Sequence, residues 1–378
     1  MTLSQACSRE WDVAVIGAGP AGATAAREAA RQGLSVLLVD KEDFPRAKVC
    51  GCCLNQAALA ELEAMGLGAL PARLGGRPLR ALRLAAGKNQ ASIPLPSGMA
   101  LSRNRLDAAL AEEAVRAGAS FLPGTAALLL DPPEPTGRRV VLRQKTETGH
   151  VQARLVLAAD GLKGNSIQQT ALPRVLRRSS RIGAGAILPD GPAFYEPGII
   201  YMACGKGGYL GLVRLEDGRL DAAAAFDPGF VRRSGGPGKA AEALLERTGF
   251  PAVKNLVSLA WSGTPPLTRR SLFPAGERLF LIGDAAGYVE PFTGEGIAWA
   301  LASARAVGPL ALQAVQGWTP ALAQEWASLH RRLFARRQRV CRWTAEGLRH
   351  PLLTQMAVTF LARSPRWAAP LVRAVNLS

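Results

Sequence analysis

The 378-residue chain is short of histidine, of acids and of cysteine. Its three histidines, His150, His330 and His350, lie in no hydrolase-like setting, so serine or cysteine hydrolysis is not supported. Six cysteines, at 7, 50, 52, 53, 204 and 341, are too few for a disulfide framework in so long a chain. The polar residues ahead of Trp11 carry no signal-peptide pattern, and a reducing, cytoplasmic location is expected. No run of about 18 uncharged apolar residues occurs, which argues against a membrane span. The longest apolar stretch, Gly296 to Val315, contains Arg305 and reads as a buried helix. Acids number 29 against 46 Lys and Arg, a net charge of +17. Such a balance suits nucleic acid, an anionic membrane surface or an acidic substrate. No recognition motif accompanies the charge, so nucleic acid is not expected. At 48% hydrophobic and 20% charged residues the composition is that of a folded globular chain, not a disordered one.

What is present alternates strand and helix. Trp11 to Ile16 is a short apolar run, Ala21 to Arg31 an Ala-rich helix ended by Gly33, and Leu34 to Val39 a second buried strand. This βαβ unit implies parallel strands with a right-handed crossover. Helices are expected from Asn55 to Met65 and from Arg103 to Ala117, and strands within Val140 to Leu157 about a turn at Glu147 to Gly149. From Arg181 to Trp261, short alternating runs cut by Gly and Asp read as an antiparallel sheet. Gly235 to Gly238 reads as a loop and Lys239 to Arg247 as a short helix. Leu279 to Ile282 is again a buried strand, and beyond Gly294 the pattern is helical. The fold class is therefore α/β. A discontinuous Rossmann-like domain takes residues 1–75, 101–178 and 265–318. A substrate-binding sheet domain takes 76–100 and 179–264, and a basic helical region 319–378.

Two Gly-rich turns carry the chemistry. In Gly17-Ala18-Gly19-Pro20-Ala21-Gly22, placed between strand and helix, Gly17 permits the tight turn, Gly19 lets backbone approach a pyrophosphate, and Gly22 lets helix and strand pack. The helix N-terminus offers N–H groups to phosphate, and Asp40 is placed to accept from a ribose. The second turn, Gly283-Asp284-Ala285-Ala286-Gly287, follows the strand at Leu279 and leads to Glu290-Pro291-Phe292-Thr293-Gly294-Glu295-Gly296-Ile297 and a long helix. Two helix N-termini facing one long ligand suit FAD better than NAD.

With Ala159-Asp160-Gly161 and Ser102-Arg103 followed by Leu106-Asp107 and Leu110, the chain resembles, over nearly its whole length, the FAD-dependent aromatic hydroxylase and geranylgeranyl reductase superfamily. The resemblance implies a p-hydroxybenzoate hydroxylase-like fold and roles for matching positions. Gly17, Gly19, Pro20, Ala21 and Gly22 would hold the pyrophosphate, and Asp40 with Lys41 the adenosine ribose end. Arg103, or Arg105 in its place, would lie on the phosphate and adenosine side. Asp160 and Gly161 would border the groove. Gly283 and Asp284 would bind the ribityl–pyrophosphate stretch. Gly294, Glu295 and Gly296, flanked in the cofactor site by Pro291 and Ile297, would set backbone N–H groups against the flavin carbonyl and favour the reduced cofactor's negative charge.

The segment Phe44-Pro45-Arg46-Ala47-Lys48-Val49-Cys50-Gly51-Cys52-Cys53 falls where the superfamily runs beside the flavin, and its Cys-Gly looks like the reductase branch. A zinc site has poor ligand spacing here and no metal is expected. A redox disulfide between such close cysteines would be strained. A cysteine lining the flavin pocket is the main expectation, with Arg46 and Lys48 either lowering a thiol pKa or touching FAD phosphates. Tyr209, in Gly205 to Arg214, is either a substrate-facing phenol or a packing residue. The Trp- and Phe-Pro-bearing stretch of prenyl reductases is missing there. So are the G-E-S turn and W-x-W-x-I-P motif of flavin halogenases. No second dinucleotide unit occurs, so NAD(P)H would dock transiently as electron donor, or an external reductase would supply the electrons. Of the +17, +8 lies in Thr319 to Ser378, with 10 Arg and 2 Glu. Leu333, Phe334, Val340 and Trp343 interleave those arginines, and peripheral contact with an anionic bilayer is one expectation, a solvated capping helix the other. Two reactions stay open for a hydrophobic small-molecule substrate. One is hydroxylation of a phenolic or polyketide-like compound. The other is reduction of a carbon–carbon double bond in a prenyl lipid.

Overall fold

Runs of Val, Leu and Ile, too short for helices and uncut by charge, form central strands buried on both faces. The structure is a computed structural model and describes residues 1–170, 172, 174–176, 179–290, 292, 294–370 and 372. In chain order its principal elements begin with β1 (Trp11–Ile16), α1 (Pro20–Arg31) and β2 (Val36–Val39). There follow β3 (Ala81–Ala86), β4 (Asn89–Pro94), α2 (Arg103–Arg116), β5 (Ser120–Leu122) and β6 (Glu147–Ala158). Then come β7 (Ile182–Leu188), β8 (Ile199–Gly205), β9 (Gly208–Arg214), β10 (Leu220–Phe226), β11 (Ser262–Pro266) and β12 (Leu279–Leu281). Three helices close the chain: α3 (Gly296–Gln316), α4 (Pro320–Gly347) and α5 (Pro351–Arg363).

In the first sheet β5, β2, β1, β6 and β12 lie side by side, all parallel. Helices α1, α2 and α3 pack together on one side of it. The second sheet has seven strands in the order β11-β7-β10-β9-β8-β3-β4, antiparallel except for β8 beside β3. The residues from 81 to 94 thus join a sheet whose other strands arrive a hundred residues later. The architecture is the p-hydroxybenzoate hydroxylase-like α/β fold.

Three local differences from the sequence reading have plain causes. The hairpin before β6 turns at Lys145 and Thr146, not at Glu147 to Gly149, because Lys145 itself takes the left-handed conformation (φ +52°). A helix, Pro228–Ser234, occupies a stretch left without an element. Pro228 starts it and Gly235, at φ +80°, ends it. The next helix begins at Pro237, so the expected loop is confined to Gly235 and Gly236.

Candidate functional site

The first Gly-rich turn is closed by contacts that admit no side chain. Gly17 sits at φ +100°, donates its N–H to Val39 O at 2.7 Å, and a Cβ there would lie 2.5 Å from Ala159 O. A Cβ on Gly22 would lie 1.7 Å from Gly17 O. The turn therefore delivers the N-terminus of α1 to the sheet's C-terminal edge, where open α/β sheets bind ligands. No side chain caps that end, and Pro20 occupies its first turn. Asp40 fixes the turn from the far side: its Oδ2 accepts from Ala18 N (2.7 Å) and its Oδ1 from Glu42 N (3.0 Å), which leaves lone pairs for a ribose. Lys41 is exposed and pairs with Glu42 at 3.0 Å.

Cations crowd the mouth of this turn. The open side of Gly19 looks toward the Nη2 atoms of Arg46 and Arg103, which would lie 3.4 and 3.8 Å from a Cβ there. Arg103 is buried and forked onto Asp107, with two bonds of 2.8 Å. Arg46 Nη2 stands 3.3 Å from Asp107 and 3.6 Å from Asp40, and its Nε has no partner. Arg105 points elsewhere, to Leu74 O and Glu216, so Arg103 is the arginine that faces the groove. Lys48 is open to solvent yet walled by protein, as in a cleft; that crowding, with Arg103 nearby, lowers its pKa. Its Nζ would be 3.2 Å from a Cβ on Gly161, which adopts φ +70°. Asp160 is half-buried and accepts from Ser166 N at 2.8 Å. Uncapped helix N–H groups, two guanidiniums and an ammonium converge on one groove, a donor set that fits a dinucleotide pyrophosphate.

The second turn faces the same groove. Gly283 (φ +58°) donates its N–H to Ser303 Oγ at 2.9 Å, and Asp284 follows it. Burial raises the Asp284 pKa, opposed by Lys48, Arg103 and Arg269. Gly294 (φ +72°) opens onto empty space, Gly296 begins α3 against the Tyr288 ring, and Ile297 is buried in the core below. Glu295 caps this end through its backbone only. Its side chain is buried beside Trp299 and Arg337, and neither oxygen has a hydrogen bond of normal geometry. Burial lifts its pKa to about 7, with Arg337 and the Trp299 indole holding it down. Pro291, expected at this turn, lies outside the described residues.

Between the two turns runs the cysteine segment, pressed against the second sheet. Alternation along β7 to β10 puts Gly185, Ala223, Gly211 and Met202 in one cross-strand row, and Gly183, Ala225, Tyr209 and Cys204 in the next. Small residues on this face let the segment approach: Val49 packs on Gly185 and Gly51 on Ala223. The six cysteines are free thiols. Cys50 is half-buried, with its pKa lowered to about 5 by a hydrogen bond from Cys52 and by Arg103, against the cost of burial. Cys52, in a left-handed conformation (φ +50°), and Cys53 are pushed up, Cys52 first by that hydrogen bond and Cys53 by burial. The loop thus holds one thiolate and two thiols.

The sequence reading missed Asp221. It is 5% exposed on β10, Cys52 lies within hydrogen-bonding reach, and its Oδ2 has no partner. Burial, with Cys50 nearby, raises its pKa, against the pull of the Cys52 hydrogen bond and of Arg219. The signal was available: Asp221 is the one acid in the otherwise apolar strand Leu220–Phe226. Tyr209 is buried as well, edge-on to Phe292 at 5.1 Å and 5.7 Å from the Arg181 guanidinium, with its hydroxyl unpaired. Burial and Glu290 hold the phenol protonated. Arg181 meets Glu290 at 2.7 Å, Asp227 at 3.5 Å and Leu348 O at 3.3 Å, and so ties the sheet to the loop before α3 and to the turn before α5.

The family model described as FAD binding domain matches residues 10–204. The chain belongs to this family. It is an FAD-dependent oxidoreductase. Menaquinone reductase of Mycobacterium tuberculosis (strain ATCC 25618 / H37Rv) is 31% identical over 325 residues, covering 79% of this chain and 76% of the relative. Digeranylgeranylglycerophospholipid reductase 2 of Methanothermobacter thermautotrophicus is 30% identical, covering 81% of this chain and 79% of the relative. A geranylgeranyl bacteriochlorophyll reductase-like structure from Thermoplasma acidophilum superposes with a TM-score of 0.77 at 20% identity, covering 98% of this FAD enzyme and 97% of that chain. Solved halogenases and a hydroxylase share the fold too, so the fold alone does not choose the reaction.

Proposed function

We propose that this flavoenzyme reduces carbon–carbon double bonds in the isoprenoid chain of a lipid or quinone, with NAD(P)H as the transient electron donor. The observation that carries the reading is the kinship over three-quarters of the length with menaquinone and digeranylgeranylglycerophospholipid reductases. Hydroxylation of a phenolic compound has only the shared fold behind it.

The chain's own groups suit this chemistry. Reduced FAD supplies a hydride when bound, and the protein must then deliver a proton to the other carbon of the double bond. The loop and sheet keep protons at hand: the Cys52 and Cys53 thiols, the Asp221 carboxyl, its pKa raised by burial, and the Tyr209 phenol. Cys50, a thiolate at neutral pH, sits at the groove end of the Asp221–Cys52–Cys50 series and is placed to take up and pass on a proton. Met202 and Gly211, farther along the same row, leave apolar surface for a polyprenyl chain, and the cysteine loop packed on Gly185 and Ala223 shields this side of the sheet from water.

The test is anaerobic: protein with photoreduced FAD is mixed with a geranylgeranyl lipid, with menaquinone, and with hydrophobic phenols. Reoxidation by a polyprenyl compound without dioxygen, with a product that stays two mass units heavier after exposure to air, where a quinol would revert, is the expected result. Cys50→Ser should slow it at least tenfold while FAD stays bound. Turnover only with dioxygen, giving a hydroxylated phenol, would overturn the reading.

A further inference from the structure

The C-terminal helices present a surface that the FAD site does not use. On α4 the core side is Leu322, Trp326, Ala327, Phe334, Cys341 and Ala345. The opposite side carries Arg332, Arg336, Arg339 and Trp343 at i, i+4, i+7 and i+11, one face of a helix. The three arginines are exposed, and Trp343 is 74% exposed among them. Helix α5 docks Thr354 and Val358 on β3 and β4. Its outer stripe is apolar: Leu352, Leu353, Met356 and Phe360 are exposed, Leu352 by 74% and Met356 by 67%. Trp367, just beyond the helix, is 60% exposed and sets its ring 6.1 Å from that of Phe360, tilted by 46°. Arg363 and Arg366 flank this stripe, and no acid occurs between 347 and 372. Among the described residues no helix is long and apolar enough to cross a membrane.

We propose that α4 and α5 seat the enzyme on an anionic lipid bilayer, with the α5 stripe and Trp367 in the acyl boundary and the arginines on the headgroups. Charge complementarity selects this occupant: an acid-free apolar stripe on α5, rimmed by arginines and tryptophans, with Glu346 at the end of the α4 face set 3.9 Å from Arg349, matches the boundary layer of an anionic membrane. The inner side of α5 gives the seat a use. Pro351, Thr354 and Gln355 line a cavity of about 290 Å³ that reaches Cys204, the cross-strand neighbour of Tyr209. A lipid chain rising beside α5 would meet the Cys204 and Tyr209 row of the sheet. The docking itself does not depend on the reductase reading, because it is measured without turnover.

Full-length holoprotein is sedimented with phosphatidylcholine vesicles and with phosphatidylcholine–phosphatidylglycerol vesicles at low and high salt. Binding is expected to the anionic vesicles at low salt, to fall with salt, and to be weak on phosphatidylcholine alone. Met356→Glu with Phe360→Glu should weaken binding at least tenfold. Arg332→Ala, Arg336→Ala and Arg339→Ala should each cost about fivefold, on anionic vesicles only. Retained FAD and an unchanged melting temperature show that each variant is folded. No binding at low salt, or unchanged binding by the folded glutamate variant, overturns the proposal. So does sedimentation velocity showing a dimer that the same variant splits, for the stripe then belongs to a second copy of the chain.

Discussion

The two faces of the seven-stranded sheet are built from the same four strands by opposite rules. One face sets Tyr201, Leu210, Leu212 and Phe226 against the helix Pro237–Thr248, and among the described residues none of its buried side-chain polar atoms is left unpaired. Tyr201 donates its hydroxyl to Phe194 O at 2.6 Å, and Tyr195, packed beside it, donates to Pro251 O. The other face, one residue out of step, carries Tyr209 and Asp221 with a hydroxyl and a carboxyl oxygen unpaired. Burying a polar atom without a partner costs about 1–3 kcal/mol. A face that bears this cost twice, next to a thiolate and a cationic groove, is shaped for a ligand; the other is shaped for stability.

The largest expected effect lies on the satisfied face. Phe226→Ala should lower unfolding stability by about 3–5 kcal/mol, read from denaturant midpoints, while the folded fraction keeps its FAD affinity. A loss of FAD affinity with little loss of stability would reverse the roles of the faces. A matched pair of hydroxyl deletions sharpens the comparison. Tyr195→Phe should destabilise by about 1 kcal/mol, because it strands a carbonyl, whereas Tyr209→Phe should be neutral or stabilising. Equal costs would mean that Tyr209 is bonded after all.

The smallest effect is a slope. A carboxyl whose folded pKa is raised, as burial raises Asp221, holds its proton more tightly in the native state. Its contribution to stability is full below the ordinary carboxylate value and is lost as pH rises through the folded one. Asp221→Asn removes that loss. The melting temperature of the variant, minus that of the unaltered protein, should therefore grow as pH rises from about 4, the unfolded aspartate value. A flat difference would show Asp221 ionised in place.

How much of this was legible follows from what each feature depends on. The two Gly-rich turns, the parallel strands and the long α3 helix are local patterns, and they stand where their residues put them. Arg103 rather than Arg105 could not be chosen from the sequence, because both sit in one helical turn and only the fork onto Asp107 decides. Asp221 was legible as an acid in an apolar strand, but its importance comes from Cys52, 169 positions away in the chain. Glu295 belongs to a Gly-rich turn by sequence, yet its carboxylate is turned among Trp299 and Arg337, which no spacing rule conveys. The outward stripe of α5 depends on which side β3 and β4 cover, and that is a tertiary fact.

The Arg181 tie also sets an order of events during synthesis. Its partners Glu290 and Leu348 lie 109 and 167 residues downstream. Arg181, just ahead of β7, leaves the ribosome long before either, and of its acidic partners only Asp227 follows closely. The satisfied face of the sheet can form by then, with every hydrogen-bonding partner already made. The ligand-facing side can close only when the last two helices have emerged. A nascent chain stalled before Leu348 would hold all seven strands of the sheet with its reactive side still open.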